Sequence, residues 1–124
     1  MAFGNWPLAV NLRPDTLDLR PDMDRIAMLT EILAANPGDA FARYGLAMEY
    51  SNTGQVEQAL REFKTLLEKN PDYTPAYFMA AQTLEKAGRV DDAKRMLVDG
   101  ISSARRTGNA HAQSEMTAML EGLT

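Results

Sequence analysis

Apolar and polar positions recur along most of this chain with the period of a helix. From Asp22 to Ala35 the apolar residues Ile26, Leu29, Ile32 and Leu33 fall on one helical face. The pattern stops at Asn36-Pro37, because proline disfavours helical geometry in the residue before it. Asp39 is placed to cap a second helix, its carboxylate accepting a free backbone N–H, and that helix is predicted to run to about Thr53. Gly54 ends it, since glycine tolerates the left-handed conformation of a C-terminal turn. A third helix is predicted from Val56 to Lys69, closed by Asn70-Pro71. Thr74 is expected to cap the fourth, with Pro75 at the first helical position, where its missing N–H costs nothing. Gly88 ends that helix. A fifth runs from Val90 to about Arg106, with Asp91 and Asp92 in its first turn, where the helix dipole favours negative charge. The sixth, Ala110 to about Leu123, carries Ala112, Met116, Met119, Leu120 and Leu123 on one face and His111, Gln113, Ser114 and Glu121 on the other. One apolar and one polar side suit the end of a stack, where one face meets water. Six helices, each antiparallel to its sequence neighbours, are predicted.

The two Asn-Pro dipeptides lie 34 residues apart. Sliding residues 40–71 onto 74–105 pairs Ala42 with Ala76, Ala47 with Ala81, Gly54 with Gly88, Val56 with Val90, Ala59 with Ala93 and Arg61 with Arg95. Tyr50 falls on Leu84 and Phe63 on Leu97. Agreement at small and apolar positions is what a shared packing geometry requires, so the chain divides into a half-repeat helix (22–36), a repeat (40–71), a second repeat (74–106) and a capping helix (110–123). The small residues Ala47, Ala59, Ala81 and Ala93 let paired helices approach closely, while Tyr50 and Phe63 fill the space between pairs.

These residues resemble the tetratricopeptide-repeat (TPR) family. Leu46-Ala47, Tyr50, Gly54, Ala59, Phe63 and Pro71 stand where the family has a Leu-Gly-like pair, a tyrosine, a turn glycine, an alanine, an aromatic residue and a proline; Ala80-Ala81, Leu84, Gly88, Ala93 and Leu97 fill the same roles in the next unit. The resemblance spans about residues 22–123 and implies an all-α fold, a right-handed α-α superhelix (a TPR-like solenoid) of about six antiparallel helices. It departs from the pattern at Arg43, where a bulky apolar residue is usual and Tyr77 keeps an aromatic. It departs again at Ala104-Arg105, where no proline closes the second unit; the helix there is expected to run past the usual boundary until Gly108 ends it.

In a TPR stack the first helix of each unit lines the concave face. The resemblance therefore implies a groove of Phe41, Tyr44, Met48 and Ser51 from the first unit and Phe78, Met79, Gln82 and Glu85 from the second. Its apolar and aromatic character suits an apolar helix or an extended peptide. Members of the family that grip a C-terminal carboxylate do so with lysine, asparagine and arginine on these helices; Tyr44, Met48 and Met79 stand here instead, so that mode is not expected. The function implied is a protein–protein interaction scaffold or adaptor. The alternative is a structural module that associates with a second copy, a homodimer, through the same face or through the segment around Trp6.

That segment, residues 1–21, lies outside the repeats. Phe3, Trp6, Leu8, Val10, Leu12, Leu17 and Leu19 make it too apolar for a solvated tail, and Pro7 and Pro14 favour an extended course. It is expected to dock as an extended strand on helical surface, its own or a neighbour's, with Trp6 as anchor. Its start lacks a basic region followed by an uninterrupted apolar run, so no signal peptide is read and a cytoplasmic location is expected.

Composition narrows the function further. The net charge of -4 and the lone basic pair Arg105-Arg106 give no face for a phosphate backbone, so nucleic acid is not an expected partner. No apolar run reaches the ~18–20 residues that span a bilayer, so no membrane segment is expected. With no cysteine there is no disulfide, thiolate zinc site or cysteine nucleophile. The only histidine, His111, lies four residues before Glu115, and two ligands do not make a metal site. Ser102-Ser103 has no base beside it, and Gly54 and Gly88 are isolated turn glycines rather than a phosphate loop. No enzyme activity, metal or cofactor is predicted.

Overall fold

A computed structural model describes residues 21–124, which form six helices and no strand. They are α1 (Pro21–Ala35), α2 (Ala40–Asn52), α3 (Val56–Lys69), α4 (Thr74–Lys86), α5 (Val90–Arg106) and α6 (Ala110–Leu123). Connections of three or four residues turn each helix back along its neighbour, and successive helices pack in sequence order. The architecture is the all-α, TPR-like solenoid that the sequence predicts. Residues 1–20, with the docking expected of the Trp6 segment, lie outside the described residues; Pro21 already belongs to α1.

The turns are built twice over from the same parts. Gly54, Gly88 and Gly108 follow the C-caps of α2, α4 and α5 at φ of 79°, 79° and 70°. In each case the glycine N–H and the next N–H close back onto the helix: Gly54 to Ser51 and Gln55 to Tyr50, Gly88 to Glu85 and Arg89 to Leu84, Gly108 to Arg105 and Asn109 to Ala104. These paired bonds satisfy carbonyls that a helix end leaves open. At the Asn-Pro turns the bond is Asp39 N–H to Asn36 and Tyr73 N–H to Asn70. Asp39 caps α2 as expected, accepting from Ala42 N–H at 2.9 Å, and Asn109 does the same for α6 at 3.0 Å from Ala112. α5 runs to Arg106 before Gly108, as the missing proline predicts.

One cap is corrected. Thr74 does not cap α4: Tyr73 holds the cap position, Thr74 is the first helical residue, and Pro75 follows it. The Thr74 hydroxyl is buried and pairs with Ser103 Oγ of α5 at 2.8 Å. The same hydroxyl also reaches the Asp72 carbonyl at 3.3 Å, so it serves the seam and the preceding turn rather than a free N–H of α4.

The core runs as three linked clusters. Leu33, Ala42 and Leu46 join α1 to α2; Ala47, Ala59, Phe63, Leu66, Ala76 and Ala80 join α2, α3 and α4; Tyr77, Ala81, Leu84, Ala93, Leu97, Ile101, Ala104 and Met116 join α4, α5 and α6. The alanines at 47, 59, 81 and 93 are fully buried, which is the close helix approach their size permits.

The last seam differs from the one before it. α4 begins 34 residues after α2 (74 − 40), but α6 begins 36 after α4 (110 − 74), because α5 has 17 residues against 14 in α3 while the connection that follows it is one residue shorter. Where Leu66 meets Ala80 in the central cluster, the equivalent positions are Gly100 and Met116. Large and small have changed sides. A Cβ on Gly100 would lie 2.5 Å from Met116 Sδ and 2.6 Å from Tyr77 Cβ, so only glycine fits there.

Arg43, a departure from the family pattern, is accounted for. It donates to Glu62 at 2.6 Å and to the Pro37 carbonyl at 3.0 Å. Its counterpart Tyr77 donates to the Pro71 carbonyl at 2.6 Å. Guanidinium and phenol perform one task, tying each first helix to the turn that precedes it. Among the described residues no helix is long and apolar enough to cross a membrane.

Candidate functional site

α4 touches α2 on one side and α6 on the other, whereas α3 and α5 barely meet. α2, α4 and α6 therefore share one face of the stack, the face that the family resemblance assigns as the inner one. On the outer face α3 and α5 stand apart over a trough of about 550 Å³, floored by Leu60, Leu67, Leu84 and Met96 and edged by Lys64, Glu68, Arg89, Asp92, Arg95 and Asp99. Part of that edge is self-paired: Arg89 bonds Asp92 and Glu57, and Arg95 bonds Asp92.

The inner face holds the residues singled out from sequence, in different surroundings. Phe41 is 78% exposed. Tyr44 is half-buried, its ring centroid 5.3 Å from that of Tyr73 at an interplanar angle of 44°. Met48 and Met79 pack against the central cluster, and Phe78 against the C-terminal one. Ser51 spends its hydroxyl on Thr83 Oγ1 at 2.7 Å, tying α2 to α4. Gln82 is half-buried and Glu85 exposed.

Three of these eight, Tyr44, Phe78 and Met79, converge on a cavity of about 230 Å³. Phe41, Met48, Ser51, Gln82 and Glu85 do not line it. Its remaining wall is Thr74 and Pro75 of α4 with Asn109, His111, Ala112, Glu115 and Met116. The contribution of α6 is what sequence reasoning missed. That helix occupies the place of a third unit's first helix, so His111, placed by the sequence on a water-facing side, borders the cavity together with Glu115. The signal was present in Asn109, a side-chain cap like Asp39 at the start of the first repeat, but the 36-residue step hides it from a 34-residue alignment.

The electrostatics of the cavity are one-sided. Its lining carries His111 and Glu115 and no lysine or arginine. His111 Nε2 lies 3.3 Å from a Glu115 oxygen, so the two form an ion pair when the imidazole is protonated. Among the described residues no three histidine, cysteine, aspartate or glutamate side chains gather as a metal site would need. Burial pushes the Tyr44 phenol above its usual range, with the Tyr73 phenolate adding to the effect; Tyr73 is raised by burial and then by Asp39. Both are therefore neutral hydroxyls at physiological pH, suited to hydrogen bonding.

Comparison with known proteins agrees with this architecture. A family model described as Tetratricopeptide repeat matches residues 26–77 and 53–114. A TPR repeat-containing protein of Pseudomonas aeruginosa is 27% identical over 95 residues, covering 77% of this chain and 90% of that protein. A tetratricopeptide repeat domain protein of Salinibacter ruber, solved by NMR, is 33% identical, with a TM-score of 0.67 over 71% of this chain and 89% of its own. The fold is also similar to PcrH, solved in complex with the chaperone binding region of PopD, with a TM-score of 0.77 and 20% identity over 82% of this chain and 77% of that one.

Proposed function

The chain belongs to the tetratricopeptide-repeat family, and from that premise we propose that it is a protein-interaction module whose inner face receives an apolar segment of another polypeptide. The observation that carries this reading is the convergence of Tyr44, Phe78 and Met79 on one inner cavity, with Phe41 exposed one helical turn before Tyr44. A volume of about 230 Å³ is below the ~300–1,000 Å³ of pockets that enclose a whole small molecule. It matches a bulky side chain of a guest whose backbone runs along the face. Methionines at 48 and 79 supply an adaptable surface around that anchor. Two proteins of similar fold support the reading: PcrH holds a region of PopD, and the Yersinia enterocolitica chaperone SycD was solved with a peptide of YopD. The lining acid at Glu115 favours guests with a cationic residue beside the apolar anchor, and Gln82 and the exposed Glu85 add polar margins farther along α4.

The reading is tested by selecting peptides on the purified protein from a random display library and titrating the selected sequences calorimetrically. Tyr44→Ala and Phe78→Ala should each weaken binding about tenfold or more, as loss of a buried anchor does. Equal affinity for the variants would remove the inner face from consideration. A dimer in sedimentation that Phe41→Ser dissociates would favour self-association instead, since Phe41 is the most exposed large apolar side chain among the described residues.

A further inference from the structure

α1 is the second helix of a unit that has no first helix among the described residues. A 34-residue shift from α3 assigns its faces: Ile32 stands where Leu66 does, and Met28 where Glu62 does. In the first full repeat those positions face the unit's own first helix. Leu66 is fully buried, and Glu62 is bonded to Arg43 of α2. On α1 the same positions are open, Ile32 at 39% and Met28 at 52% exposure. Two large apolar side chains one turn apart thus form an uncovered stripe on the side where a preceding helix belongs.

The same shift from α2 puts residues 6–18 in that slot. Leu8 and Leu12 take the register of Ala42 and Leu46, both buried positions, and residues 6–12 carry no charged side chain. Two features of the sequence disfavour an ordinary first helix in that register. Pro14 takes the register of Met48, in mid-helix, where proline removes a hydrogen bond and clashes with the preceding turn. Arg25 takes the register of the fully buried Ala59 and is occupied with Glu49 at 3.0 Å, so close helix approach is blocked. We propose that residues 6–18 fold back in cis over the Met28–Ile32 stripe as an irregular cover for the open end of the stack. Reach is ample: the 15 residues from Trp6 to Pro21 span up to ~50 Å extended, against ~22 Å for α1.

The chain's single tryptophan, Trp6, makes the test direct. In the unmodified full chain its emission should be blue-shifted and shielded from acrylamide, independently of protein concentration. Met28→Gln/Ile32→Gln should move the emission toward that of free tryptophan; Tyr44→Ala/Phe78→Ala should not. In thermal melts, Leu8→Ser/Leu12→Ser and Met28→Gln/Ile32→Gln should each lower the midpoint by about 4–8 °C, and the fourfold variant by no more than the larger single-pair drop. Additive losses, or a water-like Trp6 in the unmodified chain, would overturn the proposal. So would emission that follows the Tyr44/Phe78 pair, which places the segment on the inner face, or shielding that appears only with dimer mass, which makes the cover a second copy.

Discussion

Gly100 is the residue whose role is least visible from its neighbours in sequence. Inside a helix, glycine costs about 1 kcal/mol relative to alanine, and in the 34-residue alignment it replaces a leucine. The structure turns the expected gain from alanine into a loss. Met116 Sδ can swing away from a new methyl group, but Tyr77 Cβ is fixed to the backbone of α4. Gly100→Ala is therefore expected to lower stability by about 1–3 kcal/mol, as overpacking does, read from urea unfolding. Tyrosine ionisation belongs to the same scale. Burial raises the phenols of Tyr44, Tyr73 and Tyr77 above the usual value near 10. The folded state prefers their neutral form, so the stability they carry is present below pH 10 and is lost as pH rises through the raised values. Tyrosinate absorbance should appear later in the folded than in the urea-unfolded chain, with thermal midpoints falling above pH 10. Buried alanines were legible as small positions in a repeat; Thr74 was misread because its hydroxyl answers to Ser103, 29 residues away, rather than to its own helix.

Helix by helix, the boundaries were legible because proline and glycine punctuate them, and α1, α3 and α5 end where those residues predict. The exchange of chemistry between repeats was not. Arg43 with Glu62 occupies the positions of Tyr77 with Met96, and both Arg43 and Tyr77 reach the carbonyl of the preceding proline. Arg43 and Glu62 are only 16% and 23% exposed, so neither charge is well solvated alone. Glu62→Met by itself should cost about 1–3 kcal/mol by stranding the guanidinium. Adding Arg43→Tyr should recover most of that loss, since the pair then reproduces the next repeat. Denaturant midpoints of the single and double variants decide it: equal midpoints would mean the ion pair contributes nothing to the seam.

Across the whole molecule, burial is graded. Among the described side chains, α1 contributes Leu33 alone to the buried core, while α4 has seven buried residues and α5 six. In a linear stack local opening follows local burial. Native-state hydrogen exchange should thus find the most protected amides in α4 and α5 and the least protected in α1. The inner face was legible in outline, because repeat register alone puts Tyr44, Phe78 and Met79 on first helices. Its third wall was not, because the extension of α5 that the missing proline predicts also lengthens the step to α6 by two residues, and so moves α6 out of the 34-residue register that identified the other first helices. The exchanged sizes at Gly100 and Met116 also dictate how this protein can grow. Tandem duplication of residues 74–109 would set a glycine against Ala80 and open a void. Duplicating residues 56–89 instead carries Leu66 and Ala80 together but sets the copied Leu66 beside Tyr77, where only Gly100 fits. An array lengthened by the first route should split into separately melting halves.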